Sequence, residues 1–180
     1  MQPLRADAAR SRERILAAAR GIASDELRLN DLAREAGLGV GTVYRHFPTV
    51  TALLEELHAD TLNELVGIAR RTAQSASPGS AFVDLVRAGA ELQLSCDGLQ
   101  TVLIADDVSA HTRALRDEFL RFAQSSLQAA IDEGLVRPEM TISAVQRLVC
   151  GVEHAVRLGS GADRSLLMDV LVAGLRPQAG

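Results

Sequence analysis

Apolar residues along this chain recur at three- and four-residue spacing, and no stretch alternates as a half-buried strand does. Ile15, Ala18, Ala19 and Ile22 mark one face of a first helix, expected over residues 8–23. Asn30 reads as the N-cap of a short second helix with Leu32, Ala33 and Ala36 inside, and Gly37 closes it. Beyond the Leu38-Gly39 turn, Val40 to Phe47 reads as a third helix stopped by Pro48. Thr49 then caps a fourth, with Leu53, Leu54, Leu57, Leu65 and Ile68 inward. It is expected to run unbroken to Arg71, about 22 residues or ~33 Å at the helical rise. The segment ASPGS, residues 76–80, is the clearest linker. Further helices are expected over 80–95, 98–107, 110–134, 142–159 and 163–175, so the fold is read as all-α.

Two short helices joined by a glycine turn between Leu29 and Phe47 have the layout of a helix-turn-helix, whose second helix enters the major groove. On a helical wheel Val40, Val43 and Phe47 gather on the core side, while Gly41, Thr42 and Arg45 point away. His46 and Tyr44 flank that outer face. Arg pairs with guanine edges, a Thr methyl meets a thymine methyl, and Tyr, Thr and His bond phosphates; Gly41 lets the backbone approach. An ordinary helical hairpin with a solvated polar face fits the same pattern of residues.

Charge sharpens the choice. The 180 residues carry 19 basic and 23 acidic side chains, a net charge of −4, yet residues 1–50 hold eight Arg against six acids. An excess of positive charge at one end of an acidic chain suits a nucleic-acid contact there. The composition is that of a globular protein, 47% hydrophobic and 23% charged, while 3% aromatic residues and no Trp disfavour a sugar-stacking groove or aromatic cage. Two cysteines without a CxxC pair make neither a disulfide framework nor a zinc site. The polar start and the lack of a long apolar run point to a cytoplasmic protein without a membrane partner.

Ala33-Arg-Glu-Ala-Gly-Leu-Gly-Val-Gly-Thr-Val-Tyr-Arg-His-Phe-Pro48, preceded by Arg14-Ile-Leu-Ala-Ala-Ala19, resembles the N-terminal region of TetR-type transcriptional regulators. The resemblance covers residues 10–57; beyond it, only helix order and length are similar. It implies an N-terminal three-helix helix-turn-helix domain, residues 1–48, and a C-terminal helical domain, residues 49–180, that binds a small effector and dimerises through its last two helices. The expected DNA-contacting set is Val40, Gly41, Thr42, Tyr44, Arg45, His46 and Thr49, with Arg28 expected to supply a phosphate contact that the family makes elsewhere. The chain departs from the family at Val50, where Lys often contacts a phosphate, and at Arg28 and Asn30, where Thr often caps the second helix. The connection from Ser24 to Leu29 is also short. An N-terminal arm with Arg5, Arg10 and Arg12 is expected to add salt-screened affinity.

Elsewhere, the 110–134 helix has an unusually broad apolar surface. Phe119 and Phe122 are expected to line an apolar effector cavity with Leu92, Cys96, Leu99, Val102 and Leu103, although plain core packing accounts for most of these residues. Val145, Val149, Val152 and Val156 form a stripe that, with Leu166, Val170 and Leu171 of the last helix, is expected to build a two-fold dimer interface. Asp106, Asp107 and His111 lack further ligands for a metal site. Cys96 and Cys150 read as core packing, and His154, opposite the valine stripe, as a solvated or interface residue. No P-loop, dinucleotide fingerprint or Ser-His-Asp arrangement is present, so neither catalysis nor a cofactor is expected. The expected function is a repressor released from a palindromic operator by a small, largely apolar effector. Its rivals are a DNA-binding protein of this fold controlled by a protein partner, and a ligand-binding or catalytic protein whose helix-turn-helix no longer binds DNA.

Overall fold

The computed structural model describes residues 3–177, and among them the ordered elements are all helices: α1 (Pro3–Ala19), α2 (Leu29–Glu35), α3 (Val40–His46), α4 (Val50–Leu57), α5 (Ala59–Ala73), α6 (Pro78–Ser95), α7 (Leu99–Ile104), α8 (Ala110–Asp132), α9 (Ile142–Leu158) and α10 (Arg164–Leu175). They form two compact units. The first runs to Asp60 and takes in Asp97–Thr112; the second comprises Thr61–Cys96 and the chain from Arg113 onward. The helix α7 segment therefore groups with the helix-turn-helix, although the sequence reading drew its boundary at residue 48.

Several boundaries differ from expectation. Helix α1 begins at Pro3, where a proline suits a first turn, and ends at Ala19 rather than 23, with Gly21 just beyond it. The N-cap of α2 is Arg28, not Asn30, because the buried Leu29 already belongs to the first turn. Residues 78–80 of the expected linker are helical, with Pro78 at the first helical position. Helix α7 stops at Ile104 rather than 107, where Ala105 turns extended. The expected 49–71 helix is two helices. His58 has φ −109° and ψ 12°, which breaks the helical run even though its N–H still reaches the Leu54 carbonyl at 3.0 Å.

In the first unit, Gly37 (φ 60°) ends α2 in a six-to-one and five-to-two pair of bonds. Leu38 N–H donates to the Ala33 carbonyl at 2.8 Å and Gly37 N–H to that of Arg34 at 3.1 Å. Ile15, Ala19, Leu32, Ala33, Val43 and Phe47 are buried under this turn's three helices. Residues 97–98 then lock onto the same unit. Ser24 N–H donates to the Asp97 carboxylate at 2.6 Å, and Gly98 comes so close that a Cβ there would lie 2.9 Å from both Ser24 Cβ and Leu54 Cδ2. At the other end of this segment, Ser109 N–H donates to Glu55 Oε1 at 2.7 Å.

The second unit packs α6, α9 and α10 together. Phe82, Leu85, Val86 and Ala90 of α6 meet Val145 and Val149 of α9, Met168, Leu171 and Leu175 of α10, and Ala123, Leu127 and Ala130 of α8. Arg87 pairs with Asp169 at 3.0 Å and Arg164 with Glu91, which sets α6 antiparallel to α10.

Gly98 (φ +86°) carries both backbone strain and a steric clash if replaced, whereas Gly134 (φ +69°) faces open space. Gly134→Ala is expected to cost about 1 kcal/mol from the left-handed conformation alone. Gly98→Ala should cost about 2–4 kcal/mol, with overpacking added to the same strain. Equilibrium denaturation of the two variants measures the difference; equal losses would mean that the close approach at Gly98 relaxes without cost.

Candidate nucleic-acid interface

Helix α3 is seven residues long, too short to persist unaided, and its tertiary anchors decide its orientation. Val43 (0% exposed) and Phe47 (2%) are buried, as the wheel predicted; Val40, expected on the core side, is 46% exposed. Burial in so short a helix falls on its last turn and leaves the entry residue outside. Phe47 is held from above by the Arg12 guanidinium, 5.6 Å from its ring centre, and Arg12 in turn pairs with Glu56 of α4 at 2.9 Å. Arg12, expected in an N-terminal arm that adds salt-screened affinity, instead ties α1 to α3 and α4; the Arg5 side chain lies outside the described residues.

Opposite those anchors, α3 presents Val40, Gly41, Tyr44 and Arg45 exposed, with Thr42 and His46 half-buried at the edges. The Arg45 guanidinium lies back along its own helix. Its Nε donates to the Gly41 carbonyl at 3.2 Å and its Nη2 to Thr42 Oγ1 at 3.1 Å, so the two residues expected to read bases are already neighbours. Thr49 caps α4, its Oγ1 accepting from Ala52 N–H at 3.0 Å. Arg28 is exposed and donates to the Asp25 and Leu27 carbonyls at 2.9 and 2.8 Å, closing the short connection before α2. A groove-sized helix with a cationic, hydroxyl-bearing, glycine-containing outer face is what direct base readout requires.

Residues 15–57 match the family of bacterial regulatory proteins of the tetR type, and residues 77–177 match the C-terminal domain of SbtR-like transcriptional regulators. This chain belongs to the TetR family. It is a DNA-binding transcriptional regulator. Similar solved structures include the TetR regulator SCO0520 from Streptomyces coelicolor, 28% identical over 93% of this chain and 99% of that one, with a TM-score of 0.52. NalD, the secondary repressor of the MexAB-OprM efflux pump in Pseudomonas aeruginosa, is 20% identical over 96% and 99%, with a TM-score of 0.59. SmeT, solved as a triclosan complex, is 22% identical over 94% and 93%, with a TM-score of 0.54. No relative among functionally curated proteins matches the chain.

The other residues expected to act together are less uniformly placed. Of the seven read as lining an effector cavity, Leu92, Cys96, Phe119 and Phe122 belong to the second unit and are half-buried. Leu99, Val102 and Leu103 belong to the first, where α7 packs on α4; Leu99 and Val102 are wholly buried there as core. Of the expected dimer residues, Val145, Val149 and Leu171 are buried inside their own unit, Val152 and Val156 are half-buried, and Leu166 and Val170 are 62% and 61% exposed. The stripe is offset from the wheel's reading because the α6 packing claims its most apolar face. Leu148 and Leu158, 44% and 78% exposed, occupy the outer side instead. Among the described residues, no three His, Cys, Asp or Glu side chains gather as metal ligands, and no helix is long and apolar enough to cross a membrane.

Several buried or half-buried polar residues are not predicted from the sequence, Gln93, Glu153 and His58 among them. Gln93 and Glu153 are buried at 7% and 4% exposure on the core faces of α6 and α9. Glu153 was legible as the next four-residue step after Val145 and Val149. His58, at the break between α4 and α5, had no such signal. Burial pushes its pKa below the usual 6.5, against the opposing effects of a hydrogen bond to the Asp97 backbone and the Asp97 charge. The unfolded chain therefore takes up a proton on His58 at higher pH than the folded one, and stability is expected to be full above about pH 6.5 and to fall as the pH drops below it. Thermal unfolding at pH 7.5 and 5.5 should show that loss, and His58→Gln should reduce it. An unchanged slope in the variant would remove His58 from the acid response.

Proposed function

We propose that the chain is a homodimeric repressor, without enzymatic activity, that works in the cytoplasm and leaves a palindromic operator when a small, largely apolar effector binds its second unit. The observation that carries the DNA reading is the outer face of α3, with Thr42 and Arg45 side by side on a helix whose opposite face is fixed by Val43 and Phe47. In this reading Arg45 and Thr42 face base edges, Val40 and Gly41 let the helix sit deep, and Tyr44, His46, Thr49 and Arg28 hold phosphates. The dimer reading is supported by Leu148, Leu158, Leu166 and Val170, apolar side chains left wet on α9 and α10. A two-fold pairing of these helices would match half-sites about one DNA turn apart. An effector role agrees with the triclosan complex of SmeT and with the half-buried Phe119 and Phe122.

Gel shifts on the DNA flanking its own gene test the whole reading. Arg45→Ala is expected to weaken specific binding by ~1–3 kcal/mol and relax sequence preference at one position of each half-site. Unchanged affinity and preference would remove Arg45 from base readout.

The exposed pair Leu166→Asp with Val170→Asp should leave each chain folded yet monomeric in sedimentation at micromolar concentration, and unable to hold a two-half-site operator. A dimer that survives both charges would place the seam elsewhere.

A further inference from the structure

Helix α9 buries Val145, Val149 and Glu153 at four-residue steps on one face, so a carboxylate continues a stripe of core valines. Leu148, Gly151, His154 and Leu158 lie exposed on the same helix, which directs Glu153 into its own unit rather than toward solvent. Its neutralisation is one-sided. Arg157 donates through Nε at 3.1 Å and Nη2 at 3.0 Å, but both bonds go to Glu153 Oε1. Glu153 Oε2 is buried with no hydrogen-bond partner, and so is Gln93 Oε1 on α6, the helix packed against α9. An arginine fork ordinarily spreads over both carboxylate oxygens. Here it leaves a negatively charged acceptor at depth, where lack of a donor is costly. The charge is felt one turn away, since the Cys150 thiol is pushed up by burial first and by Glu153 next.

We propose that Glu153 Oε2, with Gln93 Oε1 as a second acceptor, anchors the protonated nitrogen of an amphipathic amine or amidine whose apolar body packs among the surrounding core side chains. This rests on the effector reading above and narrows it, because both unpartnered atoms are acceptors and the deeper one is charged. A carboxylate or phosphate head would meet repulsion at Oε2, and a purely apolar ligand would leave both acceptors unpaired. A ligand carrying N–H donors satisfies them, and its positive charge replaces what Arg157 does not supply at that oxygen.

The test uses the purified full-length chain and three probes with one tail: octylamine, octanoate and octan-1-ol at pH 7, by calorimetry below their micelle concentrations. Octylamine is expected to bind at least about tenfold more tightly than either other probe, the scale of one charge-assisted hydrogen bond. Glu153→Gln should abolish that preference while keeping helical content. Gln93→Leu, which removes the neutral acceptor, should reduce amine binding by a smaller factor and serves if the first variant does not fold. Octanoate or octanol binding as well as the amine, no amine binding at all, or a preference that survives Glu153→Gln would each overturn the proposal. Gel shifts run alongside separate this from the effector reading. Operator release by octanoate or octanol, without an amine preference, keeps an effector-responsive repressor and discards the Glu153 site. Glu153-dependent amine binding that leaves operator affinity unchanged keeps the site and discards its role in release.

Discussion

The structure depends on holding a seven-residue helix still. An isolated helix of that length is unstable in water, because the cost of fixing its first turn is not repaid by so few later bonds. Helix α3 exists through what it buries: Val43 at its centre and Phe47 at its C-cap, enclosed by the α1–α2 framework. Arg12 completes the enclosure, covering the Phe47 ring while pairing with Glu56, so one side chain joins three helices. The polar face of α3 is consequently held in one direction by packing that does not involve DNA. Rigidity matters to readout, because side chains that are ordered before contact lose less entropy on binding.

The arginines of the first unit show how, in the proposed reading, an acidic protein would meet a polyanion. Arg34 pairs with Asp31 at 2.6 Å, Arg10 with Asp7, Arg28 lies on two carbonyls, and Arg45 on Thr42 and Gly41. Exposed pairs of this kind contribute roughly 0–1 kcal/mol each. Exchanging them for phosphates or base edges is therefore inexpensive, and the released counterions of DNA supply much of the gain. Internal partners also keep long side chains from wandering, and they lower the local charge that would otherwise repel within the unit. The net −4 of the whole chain is no obstacle, because the excess acid lies beyond residue 50.

Much of this was legible beforehand, and the physical reasons are specific. The four-residue spacing of Ile15, Ala19, Leu32, Ala36, Val43 and Phe47 predicted which side chains pack, and Gly37 predicted the turn because only a positive φ closes α2 there. Thr49 was readable as a cap because hydroxyl and N–H are local partners. Long-range pairings left no trace in the spacing. The approach of Gly98 to Ser24 and Leu54 links residues far apart in the chain, so α7 joined the first unit against a sequence boundary drawn at residue 48. The break at His58 also escaped, because no Pro or Gly marks it. Among the outer candidates, apolar content alone could not separate Val145 and Val149, claimed by α6, from Leu166 and Val170, which are not.

That break changes what an effector-driven switch requires. An unbroken helix through residue 71 would transmit a tilt as a rod, whereas the chain here is two helices, α4 and α5, separated at His58. The chain passes between units at three places: after Asp60, after Cys96 and after Thr112. Side chains stand beside the first two: Asp97 acts electrostatically on His58 within the first unit, and Thr61 Oγ1 lies 3.7 Å from Cys96 Sγ within the second. Allosteric coupling between ligand and operator is typically 1–3 kcal/mol. A hydrogen bond contributes about 0.5–1.5 kcal/mol net. On those magnitudes, a change of one or two hydrogen bonds beside these crossings would supply coupling of that size, and the proposed switch would need no wholesale repacking of either core.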